Sequence, residues 1–177
     1  MHLEQVILVD ELDNELGLME KMEAHQKGLL HRAFSVFLFD NNGNMLLQQR
    51  ALGKYHSPGL WTNTCCSHPR PGEAVIDAAK RRLMEEMGIL SEVKMAFSFI
   101  YKASLDQGLT EHELDYVFVG NYEGVINPNC LEVSNYLYIS KEDLKSKFEA
   151  NAEDFTVWFK IAYPRVVEWH ELNIVNL

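Results

Sequence analysis

The sequence has no apolar run approaching the length needed to span a bilayer, so no membrane association is expected. Its first residues, Met1-His2-Leu3-Glu4-Gln5, lack a basic stretch followed by an apolar one, and a secretion signal is not expected. Cysteine is scarce. Cys65, Cys66 and Cys130 are odd in number with two adjacent, which does not read as a disulfide framework. A reducing, cytoplasmic setting fits that usage best. Positive charge is also short: 16 Lys and Arg stand against 26 Asp and Glu, a net charge of −10, so no nucleic-acid partner is expected. Repeats, low-complexity tracts and linkers are missing. The 177 residues therefore read as one domain over 1–177.

What is present is a folding composition, 47% apolar and 11% aromatic, which excludes a disordered chain. Residues 3–9 read as a strand, 10–17 as a polar turn, and 18–26 as a short helix that Gly28 ends. Residues 33–39 form an apolar strand. The turn sequence Asp40-Asn41-Asn42-Gly43-Asn44 leads back into a strand over 45–49, a hairpin. A loop over 53–59 precedes a short strand over 61–66. Residues 73–87 read as a helix with an apolar stripe of Ile76, Ala79, Leu83 and Met87, ended by Gly88. Strands are expected near 96–103, 114–122 and 132–139. Ser140 caps a helix over 142–148, and 155–169 reads as a last helix that tolerates or kinks at Pro164. Mixed strands around a central helix, with a terminal helical pair, imply α/β or α+β layers.

Four groups of residues carry chemistry. In Thr62-Asn63-Thr64-Cys65-Cys66-Ser67-His68-Pro69, Cys66 and His68 project to one side of an extended segment. A thiol beside a cation or metal can be poised for proton transfer. Taken alone, such a cysteine is more often a small buried apolar residue. In Glu111-His112-Glu113 the two carboxylates share a strand face and His112 faces away. Close like charges are costly without a cation between them, although a solvated acidic loop has the same composition. His25 and His31 would diverge on an unbroken helix, and Gly28 permits the break that brings them together. Three His with two Glu would suit a divalent metal of octahedral or similar geometry. The fourth group lies on the helix after Gly72. Glu73, Arg81, Leu83, Glu85, Glu86, Gly88 and Ile89 match the Nudix box G-x5-E-x7-R-E-U-x-E-E-x-G-U, where U is aliphatic. Ser67 replaces its first Gly and Arg82 one of its Glu residues. The plainer reading is an amphipathic helix with Arg81–Glu85 and Arg82–Glu86 pairs.

Taken together, these segments resemble the type I isopentenyl diphosphate isomerases. The resemblance runs from about Val6 to Trp158. It rests on Leu30-His31-Arg32-Ala33-Phe34-Ser35, on Pro58-Gly59-Leu60-Trp61-Thr62-Asn63 running into Cys66 and His68, and on Glu111-His112-Glu113-Leu114-Asp115-Tyr116, with the degenerate box between them. It implies a Nudix-like α/β (α+β) fold, mixed β-sheet layers flanked by helices. It implies interconversion of isopentenyl and dimethylallyl diphosphate by protonation and deprotonation through a carbocation-like intermediate.

By match, Cys66 and Glu113 are the acid/base groups, Tyr101 assists the glutamate, and Trp158 covers the alkene. His25, His31, His68, Glu111 and Glu113 match the ligands of one divalent metal, Zn²⁺ or Mn²⁺. Glu86 matches the residue associated with Mg²⁺ at the diphosphate. Lys21, Arg50, Lys54 and Arg82 match its basic contacts. The implied partner is a small prenyl diphosphate, and the sequence sets no oligomeric state. The competing readings are a Nudix hydrolase of a nucleoside diphosphate derivative and a catalytically dead metal-binding protein. The Cys66/His68 segment and the missing box glutamate argue against the hydrolase.

Overall fold

A computed structural model describes residues 4–173. The expected strand start at Leu3 lies outside them. The fold is organised by β3 (His31–Phe39), which is buried along almost its whole length, as its Ala-Phe-Ser-Val-Phe-Leu-Phe run requires. One edge of β3 pairs in parallel with β8 (Thr110–Asn121), from His31↔Glu113 to Phe39↔Asn121. The other edge is shared along its length. It meets β1 (Gln5–Val9) at His31, β6 (Cys65–Ser67) over Phe34 to Val36, and β4 (Met45–Arg50) at Leu38 and Phe39. The outer strands are β2 (Glu15–Glu20) on β1, β5 (Trp61–Thr62) and β9 (Val133–Ile139) on β4, and β7 (Lys94–Ser104) on β8.

Helices cover both faces of this mixed sheet. On one face α2 (Val75–Met87) lays Ala78, Ala79, Leu83 and Met87 on Phe34, Val36, Leu38, Cys65 and Phe118. On the other, α3 (Lys141–Asn151) and α4 (Val157–Asn173) bring Leu144, Phe159, Ala162 and Val166 against Phe37, Phe39, Val117 and Val119. The expected layering of mixed strands between helices is therefore present. Pro164 stands inside α4 without ending it. No helix among the described residues is long and apolar enough to cross a membrane.

Three local expectations need correction. Residues 18–26 are not one helix. The chain stays in β2 through Glu20, because Leu18 and Met19 pair with Ile7 and Val6 of β1. Only then does α1 (Lys21–Lys27) begin, with the Glu20 carboxylate accepting from the Met22 and Glu23 amides. This is the N-cap geometry that satisfies otherwise orphaned donors. The second correction is the start of α2 at Val75 rather than Glu73. The Glu73 carboxylate lies outside the helix, where it accepts from the Arg70 amide and from Arg81. Finally, Ile76 is partly exposed, and Ala78 takes its place in the buried stripe.

Candidate active site and metal centre

The site lies at the end of the sheet where β3 and α1 begin. Gly28 ends α1 in the left-handed region at φ 60° and ψ 38°, a conformation glycine adopts without steric cost. The chain reverses there, and the His25 and His31 rings come within 4.8 Å of each other. His68, just past β6, brings its ring to 5.6 Å from His25 and 5.0 Å from His31. Register puts His31 opposite Glu113 on β8, and alternation puts Glu111 on the same face. His112 points the other way and meets the Gly28 carbonyl at 3.0 Å.

The protonation pattern shows what this cluster is built for. His25 Nδ1 sits 2.7 Å from the Lys21 carbonyl, and His31 Nδ1 sits 2.8 Å from that of Leu29. A carbonyl can only accept, so both Nδ1 atoms carry protons and both Nε2 atoms present lone pairs. His25 Nε2 is buried with no hydrogen-bond partner among the described residues. His31 Nε2 and His68 Nε2 stand 3.2 Å apart, and His68 Nε2 is 3.0 Å from Glu113 Oε1. One ligating atom from each of His25, His31, His68 and Glu113 lies within 4.8 Å of all the others, and all four residues are buried. Fixing the outer nitrogens of His25 and His31 on carbonyls is how metal-ligating histidines are oriented, whereas His68 Nδ1 is buried without a hydrogen-bond partner among the described residues. A buried nitrogen with no partner costs free energy unless something supplies a positive charge. The donor set fits a divalent metal.

Glu111 is attached to this group by Tyr101. The phenol lies 2.9 Å from Glu111 Oε2 and 2.7 Å from Glu113 Oε2. Glu111 Oε1 is 3.8 Å from His25 Nε2. One hydroxyl proton cannot serve two carboxylates at once. Burial, added to by the neighbouring Glu113 charge, drives Glu111 far above the usual carboxylate range. Burial also opposes ionisation of Glu113, but its contacts with the His31 and His68 rings outweigh it and hold that carboxyl well below the usual range. Burial likewise lowers His68, to about 4.

Cys66 lines the same cleft. It pairs with Ser35 across β3 and β6, whereas Cys65 pairs with Val36 and turns into the core beneath α2. Burial pushes the Cys66 thiol far above its ordinary range, so it stays protonated. Trp158 closes another wall from the first turn of α4. That turn is tied to β5 by the Thr156 amide donating to the Trp61 carbonyl at 3.0 Å and the Thr156 hydroxyl to Thr62 at 2.9 Å.

The remaining lining is basic. Lys21, Arg50, Lys54 and Arg82 all border the cleft. Three of them rest on acids: Lys21 on Glu4 at 3.1 Å, Lys54 on Glu132 at 2.5 Å, and Arg82 on Glu86 at 2.5 Å. Glu86 also accepts from Gln48 at 2.9 Å. Arg50 spends Nε and Nη2 on the carbonyls of Ser57 and His56, at 3.2 and 3.1 Å. The expected Arg81–Glu85 pair forms too, at 3.1 Å.

Two groups escaped the sequence reading. Asp115 is buried, accepts from Ser35 at 2.8 Å, and is raised to about 8 by burial and by Glu113. The alternation Glu111, Glu113, Asp115 contains the signal that would have found it. His56 enters the cleft from the loop between β4 and β5, where no periodicity marks it.

The chain that forms this cleft is similar to proteins of known type. A NUDIX domain model matches residues 29–159. The chain is 49% identical to isopentenyl-diphosphate Delta-isomerase 2 of Aromatoleum aromaticum over 96% of this chain and 90% of that protein. It is 51% identical to the isopentenyl-diphosphate Delta-isomerase of Photobacterium profundum, over 94% and 93%. The chain belongs to the type I isopentenyl-diphosphate Delta-isomerase family, within the Nudix superfamily. The crystal structure of DR0079 from Deinococcus radiodurans shares the isomerase family's fold with a TM-score of 0.69 at 18% identity, covering 83% of this chain and 90% of that one.

Proposed function

We propose that the protein interconverts isopentenyl and dimethylallyl diphosphate, a step in making isoprenoid precursors. The observation that carries this reading is the meeting of a thiol, Cys66, and a carboxylate, Glu113, in one cleft rimmed by four cations. Alkene transposition needs both at once: a proton is added at the terminal alkene carbon and another is lost from carbon 2. Cys66 and Glu113 are the two exchanging groups, and Tyr101 steadies Glu113 through its hydroxyl. The diphosphate lies on Lys21, Arg50, Lys54 and Arg82, and Lys21, Lys54 and Arg82 trade their present acidic partners for phosphate oxygens. Arg82 in place of a box glutamate adds an anion contact and removes a metal ligand, which suits binding without hydrolysis.

Between the two proton transfers, positive charge builds on the substrate. The Trp158 face offers it π-electron density, and burial of the wall excludes the water that would trap it. His25, His31, His68, Glu111 and Glu113 would hold one divalent ion, Zn²⁺ or Mn²⁺, and Glu86 a Mg²⁺ that arrives with the diphosphate. Such ions supply orientation and altered proton affinity to the carboxylates and neutralise phosphate charge. Proton NMR of isopentenyl diphosphate in D₂O with the pure protein and Mg²⁺ tests the reading. Isomerisation with deuterium uptake is expected. Phosphate release with the alkene unmoved would replace the reading with hydrolysis.

A further inference from the structure

His56 lies outside the residues that the family resemblance supplies, yet it touches both halves of the site. Its ring is buried. On one side Nε2 stands 3.6 Å from Glu111 Oε1, and the ring lies 6.3 Å from that of His25, nearly parallel. On the other side it meets Trp158 edge-on, with centroids 5.6 Å apart. Tyr55 closes a third side at 4.4 Å. We propose that His56 is a positioning residue of the isomerase site, setting the spacing between the Glu111 carboxylate and the Trp158 wall.

The loop is built to hold it there. Arg50 grips the His56 and Ser57 carbonyls, and Ser57 takes a positive φ of 47°, a conformation that non-glycine residues adopt at some cost. The Ser57 hydroxyl lies 3.4 Å from Nδ1 and can donate to it. With the Ser57 hydroxyl donating, the ring proton lies on Nε2, aimed at Glu111. A small closing movement converts the 3.6 Å approach into a hydrogen bond. Trp158 needs such a neighbour. Its Nε1 is buried without a hydrogen-bond partner among the described residues, so packing alone orients the indole. The Arg50 guanidinium, 5.3 Å from the ring centroid, and the His56 edge are two of its walls. A carboxylate that leans on an outer imidazole and an aromatic wall that leans on the same imidazole move together. In the function proposed above, on which this inference rests, Trp158 covers the reacting carbons and Glu111 is a ligand of the metal beside them.

His56→Phe keeps a ring against Trp158 and removes the donor, whereas His56→Gln keeps a donor. Outer partners of metal ligands typically contribute 10- to 100-fold. The Phe variant should therefore lose ~10-fold or more in kcat, with KM nearly unchanged and one metal per chain retained at saturating metal. The Gln variant should recover much of that turnover. Thermal melting of both variants reports on folding, and metal analysis accompanies the kinetics. Full turnover in the Phe variant, or equal losses in Phe and Gln, would overturn the inference. Loss of the metal from the Phe variant would make His56 a ligand, and that also overturns it. An unmodified protein that isomerises nothing would instead sink the proposed function, and this inference with it.

Discussion

Cys65 and Cys66 are neighbours in the chain and face opposite sides of one sheet. Cys65 is wholly buried among Phe34, Val36, Leu38 and Leu83, beneath α2. Cys66 shares its side with Ser35, Asp115, Glu113 and His31 at the end of the strands where the cleft opens. Further along, that same face returns to Phe37, Val117 and Val119 beneath α4. One residue of register thus separates packing from chemistry. A few residues along the strand separate them again. The dry face packs its apolar side chains against α2, and the other face holds charged groups at the spacing set by the β3–β8 register.

The comparison can be broken first at the polar face. His68→Asn removes one converging nitrogen and should release the tightly bound metal. Turnover should fall by more than the ~10- to 100-fold that follows loss of a ligand's outer partner. Metal analysis and a melting curve check it, with a lower melting temperature expected as bound metal stops favouring the folded state. Full metal occupancy with full activity would remove His68 from the site.

A smaller effect should come from the helix side of the cleft. Glu86→Gln leaves the hydrogen bond with Gln48 possible but drops the charge proposed to meet Mg²⁺. The Mg²⁺ concentration for half-maximal rate should rise ~10-fold, equivalent to about 1.4 kcal/mol of binding. The histidine site should stay filled. If that site empties instead, the two-ion arrangement is wrong.

The smallest effect belongs to the dry face. Cys65→Ala trims one sulfur from a packed interior and should cost about 1 kcal/mol in urea unfolding, comparable with other small-volume changes in cores. A loss several times larger would mean that Cys65 does more than pack.

Much of this organisation was legible in the residues. Alternation alone separated Cys65 from Cys66 and put Glu111 with Glu113, because a strand has no freedom to do otherwise. The left-handed turn at Gly28 was readable from residue type, and with it the approach of His25 to His31. The β2 strand was not legible. Leu16, Gly17, Leu18 and Met19 have no strong strand pattern, and Leu16 and Leu18 are exposed. What holds them extended is the ladder to β1, a non-local pairing. His56 was hidden for a related reason. A loop side chain's direction depends on tertiary contacts, here the Arg50 grip on its backbone, and no spacing in the sequence records it. Asp115 was available from the same alternation that marked Glu113, but its burial depends on β3 and β7 flanking β8.

The central claim is that proton transfer belongs to the Cys66 side of the sheet. Turnover of Cys65→Ala and Cys66→Ala at saturating substrate tests it most directly. Cys66→Ala should lose at least ~10²-fold in kcat, the lower end for a positioned acid or base. Its KM should stay nearly unchanged, since the basic contacts remain. Cys65→Ala should keep most of its turnover. An inactive Cys65→Ala beside an active Cys66→Ala would contradict the account and exchange the roles of the two faces.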